Sequence, residues 1–597
     1  MLASSTGEPL ANPRATRMLS VTARSRPARL YSVARMMVPV SRLVVFSRKP
    51  PDELGRLLDR LQRELTDAKV CGVLYEKLPR GAAAQRVRAI FPKLPQPGYL
   101  RYASREAFRR ILFYLSIPID ATIRFLHACP RKPNPPVEIT LSDLGHRLQR
   151  HGCELFVTPD AQSPAALAFV ERQEADLGVV FGPGLLNPSL VKIPRLGSIG
   201  LNLRQVPEDR NGGPAGLWEL PDNRSEITVA VRRIDEAFDE QSILCQAKIP
   251  IERYDDLKSL ALKAEVVGHD LVVAAIADCF AGTPLPLLQI KESKLQCYPS
   301  AQQMLTYERE LLERRPRYSP KRTRPVWKLL FRSIFLLPFA VVRNWLYRWR
   351  KAFPIVIFYH HVISDRPHHL GTPTAAFARQ IAFLRKFYRI ASLEQAMQML
   401  QSGSVPVPTV VLTFDDGYAE NFVNLRAVAE HYNIPVFLFL STAHIESGSP
   451  FGHDVKRKQT GFAPLSWNHV ISLIRSGFSF GCHTRSHFDC GSHDTTKLEE
   501  EIAGSKRDLG SRAGIWADYF SFPWGMPENI SSEALRLAKA SFQYVFAAAG
   551  GVNVIGNDPR GALLRREDHP GSLWEVELSA QCILNMRTWR DLFPNIF

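Results

Sequence analysis

The stretch "VVLTFDDGYAEN", residues 410–421, places an apolar run directly before two adjacent carboxylates, Asp415 and Asp416. A run of β-branched and aromatic residues of this length predicts a buried strand, which ends where the charges begin. Two neighbouring carboxylates repel each other, and burying either one without a partner costs free energy. The pattern therefore predicts either two solvated turn residues beside Gly417 or carboxylates that face a positive partner such as a metal ion.

Strand-like and helix-like segments alternate on both sides of this stretch. In the second half, "FPIVIFYHHV" and "IPVFLFLS" flank it, and repeated strand–helix units predict a distorted (β/α) barrel. In the first half, "RLVVFS" and "KVCGVLYE" are separated by a helix-like segment with leucines at helical spacing. The first half is therefore expected to be a Rossmann-like open parallel sheet, although no G-x-G-x-x-G fingerprint follows its first strand. The predicted fold class is α/β throughout.

The positive charge of the chain is concentrated in two segments. The formal net charge is +18, of which residues 1–36 contribute +5 and residues 314–351, with twelve Lys or Arg and no acidic residue, contribute +12. The remaining chain is nearly neutral. Its globular parts therefore have no excess positive charge for binding phosphates, and no nucleic-acid partner is expected.

The basic segment also contains the apolar run Ser333–Val342, which is about half the length needed to cross a bilayer. Tryptophans lie near both of its ends and Pro338 is expected to kink it. This composition favours a helix lying on an anionic membrane surface through residues 326–350. The alternative is a helix packed between two domains with its arginines in solvent.

The N-terminus and the cysteines bear on location. Residues 1–37 lack the apolar core of a secretory signal, and we expect a disordered tail or a start codon assigned too early, with an Arg/Ser-rich targeting segment as the alternative. The nine cysteines are scattered and form no CxxC pair, which favours a reducing compartment. We expect a cytoplasmic protein that associates with a membrane surface. The predicted division is a tail over 1–37, an α/β domain over 38–307, a basic apolar linker over 308–351 and a barrel domain over 352–597.

A second polar motif follows another apolar run in the second half. "GCHTRSHFDC" carries His483 and His487 four residues apart, a spacing that lets two imidazoles face one ion. With sixteen histidines in the chain, such a pair can also arise by chance. Two histidines and one carboxylate together make a ligand set for zinc or another divalent metal, and the second aspartate is then free to act as a general base.

Three motifs in order resemble the polysaccharide deacetylases with the NodB homology domain, carbohydrate esterase family 4. They are "TFDDG" at 413–417, "HTRSH" at 483–487 and "FSFPWG" at 520–525, and the resemblance covers about residues 353–570. It implies removal of an N-acyl group, foremost N-acetyl, from a carbohydrate or amino sugar.

The resemblance also implies roles for individual residues. Asp416, His483 and His487 would bind the metal, for which zinc is the leading candidate, and Asp415 would be the general base. The substrate groove would be lined by Pro523, Trp524 and Gly525, with Trp524 as a stacking face for a sugar or, alternatively, as a core aromatic.

The chain departs from this family in two places. Ser521 stands where many members have an arginine, and no clear Leu-x-His stretch supplies a second catalytic acid. His569 is the only histidine after His487 apart from His493, and it is a candidate general acid on residue type alone. Arg566, or Arg565 beside it, is expected to bind substrate or to support the base.

The first half resembles the hydrolase-type formyltransferases, which include methionyl-tRNA and sugar-amine formyltransferases. The resemblance covers about residues 40–300 and is carried by "IPRLGSIGLNLRQVPEDRNGG" and "AVRRIDEAFDEQSILCQAKIPI". Asn202 and Asp239 align with two of that family's site residues, but Arg204 occupies the position of its histidine. Because an arginine does not exchange protons at neutral pH, a retained fold used for binding or positioning is favoured over an active transferase.

Three further interpretations remain open at this stage. The second half can be a deformylase instead of a deacetylase, it can bind a metal and a carbohydrate without hydrolysis, or the first half can be an active formyltransferase.

Overall fold

The computed structural model describes residues 40–77, 125–129, 133–182, 188–205, 215–220, 222–234, 243–282, 318–319, 324–556, 558–582 and 584. Within these ranges the chain forms two large sheets, each covered by helices, and one small two-stranded sheet. The predicted tail over 1–37 lies outside the described residues.

The N-terminal sheet has seven strands, in the order β3-β2-β1-β4-β5-β6-β7. Its strands are β1 (Ser41–Ser47), β2 (Ala68–Glu76), β3 (Glu154–Thr158), β4 (Leu177–Phe181), β5 (Ser198–Gln205), β6 (Glu226–Ile234) and β7 (Ile243–Pro250). The helices of this half are α1 (Pro51–Glu64), α2 (Leu141–Arg150), α3 (Pro164–Arg172), α4 (Pro188–Lys192) and α5 (Leu257–Phe280).

The first five strands of this sheet are parallel, and the last two pair antiparallel. The order reverses between β1 and β4, where successive connections leave in opposite directions, as in doubly wound sheets. Strands β1 and β4 are almost wholly buried, which explains why both read as continuous apolar runs in the sequence. The predicted Rossmann-like sheet is confirmed.

The C-terminal sheet has the order β17-β16-β15-β14-β13-β12-β8-β18, with β11 beside β12. Its strands are β8 (Ile355–His360), β11 (Arg389–Ile390), β12 (Thr409–Phe414), β13 (Phe437–Leu440), β14 (Ser479–Cys482), β15 (Tyr519–Ser521), β16 (Tyr544–Ala547), β17 (Leu563–Arg565) and β18 (Glu567–Asp568). A separate two-stranded sheet pairs β9 (Val362–Ile363) with β10 (Gly371–Thr372). The helices are α6 (Val326–Phe331), a π-helical turn (Arg332–Leu336), α7 (Leu337–Arg350), α8 (Thr374–Phe387), α9 (Leu393–Gln401), α10 (Asn424–Tyr432), α11 (Thr442–Ser447), α12 (Gly452–Lys456), α13 (Trp467–Arg475), α14 (Thr495–Ala513), α15 (Ser532–Ser541) and α16 (Leu573–Ala580).

The two edges of the C-terminal sheet meet at one residue. Strand β17 pairs with β16 at one edge, β18 pairs with β8 at the other, and only Arg566 separates β17 from β18 in the chain. All these pairings are parallel. Because consecutive strands occupy opposite edges, the sheet curls into an almost closed barrel, and the prediction of a distorted (β/α) barrel is confirmed.

Strand alternation sorts side chains between the inside of the barrel and the surrounding helices. Ile355 and Ile357 of β8 pack in the interior, whereas Phe358 packs in the outer layer with Phe377 of α8. Polar groups that must face a barrel opening therefore follow the carboxyl ends of the strands, where β8, β12 and β14 lead into loops.

The basic apolar segment is helical from Val326 to Arg350, interrupted by the π-helical turn that precedes Pro338. Proline lacks a backbone donor, which accounts for the irregular turn at this position. One face of the segment packs on α16: Leu329, Leu336 and Ala340 share a core cluster with Leu578. Of the helices in the described ranges, none combines the length and apolar character that crossing a bilayer requires.

Helix α5 joins the two halves. Leu260 and Ala264 pack into the core of the N-terminal sheet, whereas Leu262 and Val266 pack into the outer layer of the barrel. A fully buried charge also crosses this interface, because Lys263 Nζ lies 2.8 Å from Asp255 and 2.6 Å from the barrel residue Asp365.

Candidate active site and metal centre

The two adjacent aspartates lie at the carboxyl end of β12, inside the barrel opening. The strand ends at Phe414, and the backbone amide of Asp415 still donates to the carbonyl of His360 on β8, 2.8 Å away. Asp416 and Gly417 then turn sharply, with φ values of 70° and 93°. A side chain on Gly417 would meet Leu440 at 2.8 Å, so glycine is needed for this turn to pack.

Asp416 is fully buried and faces three histidines. The Nε2 atoms of His487 and His483 lie 3.2 Å and 3.6 Å from its Oδ1 atom, and Nε2 of His453 lies 3.8 Å from Oδ2. Within the described ranges, neither carboxylate oxygen of Asp416 receives a hydrogen bond of regular geometry. A buried carboxylate without hydrogen bonds is costly, and a cation bound between it and the imidazoles would offset that cost.

The imidazole orientations suit metal coordination. Nδ1 of His483 lies 2.8 Å from the carbonyl oxygen of Ser521, which can only accept, so Nδ1 carries the proton and the Nε2 lone pair points toward Asp416. Burial lowers the pKa of His483 to about 4 and that of His453 to about 4, so both rings are neutral at pH 7. At His487, burial opposes protonation but Asp416 outweighs it, and the pKa is raised.

His453, which precedes Asp454 on α12, extends this cluster and was not among the residues predicted from sequence. One donor atom each from Asp416, His453 and His487 lie within 4.8 Å of one another. The hydroxyl of Tyr418 lies 2.7 Å from His453 Nε2 and 2.8 Å from Asp454, which tethers this loop to the site. The motif "PFGHDV" contains no strand-end or His-x-x-x-His signal, so spacing in the sequence gave no indication of its role.

The donor set of one carboxylate and two or three imidazoles fits a divalent ion of the zinc type. Asp416, His483 and His487, predicted as metal ligands, are brought together.

Asp415 is held by Arg566 in a fully buried ion pair. Nη1 and Nη2 of Arg566 donate to the two carboxylate oxygens at 2.6 Å and 2.8 Å, and Nη2 also donates to Ser521. Burial alone would raise the pKa of Asp415, but Arg566 and His483 outweigh it and the pKa is lowered. Arg566 is completely inaccessible, which places it beside the predicted base and not on a groove face that a substrate could touch. The prediction that Arg566 binds substrate is therefore corrected.

Ser521, where the sequence departs from the resemblance, contacts this ion pair. The guanidinium arrives from the β17–β18 junction, and a small residue at 521 leaves space for it and supplies an acceptor hydroxyl. In the sequence, the stretch "LLRRED" offered two adjacent arginines as partners of the base, and it did not distinguish Arg566 from Arg565.

The third motif forms one wall of the opening. Trp524 is 47% exposed, and its ring lies 4.5 Å from that of His487 in an edge-to-face arrangement. Its φ of 56° and that of Gly525, 61°, make a tight left-handed turn after Pro523. Partial exposure beside the histidines is the geometry expected of a groove residue rather than of a core aromatic.

His569 does not join the cluster. Its ring packs 4.0 Å from His360 and 5.1 Å from Phe358, in the layer between the barrel and its helices. Burial lowers its pKa to about 3, and in the described part of the chain neither ring nitrogen has a hydrogen-bond partner. Strand alternation is the reason: His569 follows β18 on its outward face, so the prediction of His569 as general acid is corrected.

His361 occupies the inward position instead. It lies one residue beyond β8, its ring is 5.9 Å from that of Tyr359, and it interacts electrostatically with Asp415, Asp416 and Asp568. The doubled histidine in "FYHHV" was visible in the sequence, but assigning inward and outward faces required the strand register.

Two of the three formyltransferase-like residues lie in the N-terminal sheet. Asn202 and Arg204 belong to β5, and Asp239 lies outside the described residues. The structure thus does not bring these three residues together as a described site.

Comparison with known proteins agrees with both resemblances. Residues 402–545 match the family model of polysaccharide deacetylase. Part of the chain is 32% identical over 128 residues to methionyl-tRNA formyltransferase of Synechococcus sp. (strain JA-3-3Ab), which corresponds to 21% of this chain and 39% of that relative. The chain thus spans about two fifths of the length of this curated relative.

Two solved structures are similar to part of the chain at low sequence identity. A deacetylase of Streptococcus pyogenes, PplD in complex with acetate, is 19% identical with a TM-score of 0.33, covering 38% of this chain and 97% of that chain. Phosphoribosylglycinamide formyltransferase from Bacillus halodurans is 13% identical with a TM-score of 0.26, covering 41% of this chain and 97% of that chain.

The class that fold and family match define is a two-part α/β protein whose residues 402–545 match the polysaccharide deacetylase family model. The N-terminal half resembles formyltransferases.

Proposed function

We propose that the C-terminal half hydrolyses an N-acetyl group from a carbohydrate, with the help of a divalent metal ion. The observation that carries the proposal is the buried Asp416, which lacks regular hydrogen bonds, faces three imidazoles and adjoins an ion-paired Asp415. The match of residues 402–545 to the polysaccharide deacetylase family supports the substrate class.

Asp416, His483 and His487 would hold the ion, with His453 as a further ligand. A bound divalent ion supplies Lewis acidity, which lowers the pKa of water and polarises an amide carbonyl. The contribution of the chain is a fixed, dry donor set, since Ser521 holds the ring of His483 in one orientation.

Asp415 is the general base in this proposal. Its two hydrogen bonds from Arg566 hold the carboxylate ionised and fixed in orientation, so that it accepts a proton from the attacking water. Ionisation matters because a protonated carboxyl cannot accept that proton.

His361 is the proton donor to the departing amine. It follows the carboxyl end of β8, and it interacts electrostatically with Asp415 and Asp416 of the site and with Asp568. Donor and base thus approach the reacting amide from two different strands of the barrel.

Trp524 offers its partly exposed ring as a stacking face for a sugar, at the edge of the site next to His487. Pro523 and Gly525 fix the turn that presents it. The fold of the N-terminal half would serve positioning rather than formyl transfer, because Arg204 stands at the position of the family's histidine.

A second candidate reaction is removal of a formyl group from an amino sugar. The similarity of the N-terminal half to formyltransferases favours it, because fused domains commonly act on related groups. The two reactions need the same residues and differ only in the acid released.

The test is to measure acetate and formate released from N-acetylated and N-formylated amino-sugar oligomers by the full chain. Metal-loaded protein, EDTA-treated protein and an Asp415→Asn variant are compared, and Asp518→Asn removes an exposed carboxylate as the matched control. We expect metal-dependent acetate release that D415N abolishes and D518N retains. Formate alone would select the deformylase. If the protein binds zinc but releases neither acid, carbohydrate binding would replace hydrolysis as the proposed function.

A further inference from the structure

The helical segment Val326–Arg350 exposes one long apolar stripe. Trp349 is 80% exposed, Trp327 65%, and Ile334 and Val342 62% each. The stripe also includes Val326, Leu330, Phe331, Phe335, Phe339 and Leu346, all of them exposed. These positions recur every three or four residues, so they share one side of a segment about 37 Å long at the α-helical rise. Soluble monomers rarely leave a continuous apolar face of this size in water.

The opposite face anchors the segment to the barrel. Leu329, Leu336 and Ala340 are buried against α16, and the indole of Trp574 donates to Ser333 at 2.9 Å. Arg343 is buried as well and donates to the backbone oxygen of Gln581 at 3.0 Å. The segment therefore has a fixed orientation, with the stripe on the side opposite to α16.

The charged residues of the segment itself are all positive. Between residues 324 and 351 the chain has seven Lys or Arg and no Asp or Glu. Lys328 at one end, and Arg350 and Lys351 at the other, are exposed. Lys328 Nζ lies 5.3 Å from the ring of Trp327, so charge and aromatic ring lie together at that end.

We propose that this stripe docks the protein on the surface of an anionic lipid bilayer, with the helical segment lying in the plane of the interface. Tryptophans at both ends match the interfacial depth that indole rings favour. Exposed lysine and arginine side chains reach the anionic headgroups while the apolar stripe enters the acyl boundary. A groove on a partner protein would bury only a few of these apolar side chains. The stripe is instead apolar along the whole segment, and the charged residues of the segment are all positive.

The experiment measures partition of the full chain onto vesicles by co-sedimentation. Vesicles of phosphatidylcholine alone are compared with vesicles in which about a quarter of the lipid is phosphatidylglycerol. The wild-type protein is compared with Trp327→Ser/Trp349→Ser, with Lys328→Gln/Arg350→Gln and with Trp516→Ser. Trp516 is the matched control, because it is 82% exposed but lies outside the helical segment.

We expect the wild-type protein and W516S to bind the anionic vesicles equally. Removal of both stripe tryptophans should weaken partition about tenfold or more. The K328Q/R350Q variant, neutral lipid and high salt should each weaken it by about the same factor, because each removes headgroup attraction.

Three results would overturn the proposal. They are absence of vesicle binding by the wild-type protein, equal binding by W327S/W349S, and a reversible dimer that W327S/W349S abolishes without any vesicle binding. The last would assign the stripe to a second copy of the chain. Deacetylase activity on soluble oligomers should be unchanged in all these variants, so failure here is separable from failure of the proposed reaction.

Discussion

Asp415 and Asp416 are neighbours in the chain, yet their charges are stabilised in different ways. Asp415 receives both of its strong hydrogen bonds from Arg566. Asp416 receives none of regular geometry from the described residues and instead faces imidazole nitrogens. One carboxylate is thus satisfied by the protein, whereas the other faces imidazoles, and this difference suits the proposed roles of Asp415 as base and Asp416 as metal ligand.

The guanidinium of Arg566 holds Asp415 through two hydrogen bonds. In Arg566→Lys the charge is retained, but a single ammonium cannot bond both oxygens of Asp415, so the base loses its fixed orientation. We expect kcat to fall about tenfold with KM little changed, and thermal stability to decrease. Arg565→Lys, at the exposed neighbouring residue, is the control and should behave as wild type. Equal kcat for R566K and wild type would contradict this role.

His361 and His569 are expected to differ in their effect on catalysis. His361→Ala removes the proposed proton donor and should lower kcat about 100-fold, with the metal still bound. His569→Gln alters a buried ring packed on His360, so it should lower the melting temperature and leave kcat near the wild-type value. Steady-state kinetics and thermal unfolding of both variants decide the question. A large loss of kcat in a folded H569Q protein would restore His569 as the acid.

The residues of the site differ in how far the sequence determines them. Asp415, Asp416, His483 and His487 lie in compact motifs at strand ends, so their types and spacing predicted a metal-binding cluster. His453 and Arg566 come from segments distant in sequence, and their inclusion depends on how the barrel closes. No local pattern encodes that closure.

At the scale of elements, backbone strain is concentrated around the site. Four non-glycine residues there adopt positive φ: Asp416, Thr484, His487 and Trp524. Each follows a strand end, where the chain must turn sharply to aim a side chain into the opening. Such conformations are unfavourable for residues with a Cβ atom, and the surrounding packing must offset them.

Gly525 tests this idea at the third motif. A Cβ atom there would lie 2.3 Å from the backbone nitrogen of Ala548, in a conformation with φ of 61°. Gly525→Ala should therefore destabilise the protein by about 2 kcal/mol or more and lower kcat/KM by displacing Trp524. Gly403→Ala is the control, because Gly403 has φ of 67° but nothing within 4 Å of the added atom. Urea unfolding should show only about 1 kcal/mol of loss for G403A. Equal losses of unfolding free energy in G525A and G403A would mean that the positive φ, and not the contact with Ala548, sets the cost.

The elements themselves were largely predictable. Continuous apolar runs predicted the buried strands because parallel strands are covered on both faces. Periodicity could not show that the segment 326–350 packs through Leu329 and Ala340 and exposes Trp349, since all three are apolar. The choice of buried face depends on α16, which lies more than 200 residues further along the chain.

At the scale of the whole molecule, the two halves share a charged and buried interface. Arg60 of the N-terminal half lies 2.5 Å from Asp270 and 3.0 Å from Glu430 of the barrel half, and Arg426 also bonds Asp270. Lys263 joins Asp255 to Asp365, and Asp365 in turn accepts from the amide of Thr374 at the start of α8. Composition and motifs gave two separate resemblances and no sign of these ion pairs, because the paired charges lie far apart in the sequence.

His269 lies within this interface and provides its pH dependence. It is buried on α5, its ring is 5.8 Å from that of Phe181, and its Nε2 atom has no hydrogen-bond partner in the described ranges. Burial, reinforced by the positive charges of Arg56, Arg60, Arg426 and Lys49, lowers its pKa to about 3. In the unfolded chain a histidine titrates near pH 6.5, so the unfolded state binds the extra proton first as the pH falls.

The stability contributed by neutral His269 is therefore fully present above about pH 6.5 and is lost as the pH falls toward the folded-state value. Between about pH 7.5 and pH 5 the wild-type protein should lose about 2 kcal/mol of unfolding free energy through this residue, a loss absent from His269→Gln. Urea unfolding at both pH values measures the difference, and His493→Gln, at an exposed histidine, is the control. If H269Q lost stability as steeply as wild type, the proton uptake would belong to other buried histidines and the interface would be insensitive to acid.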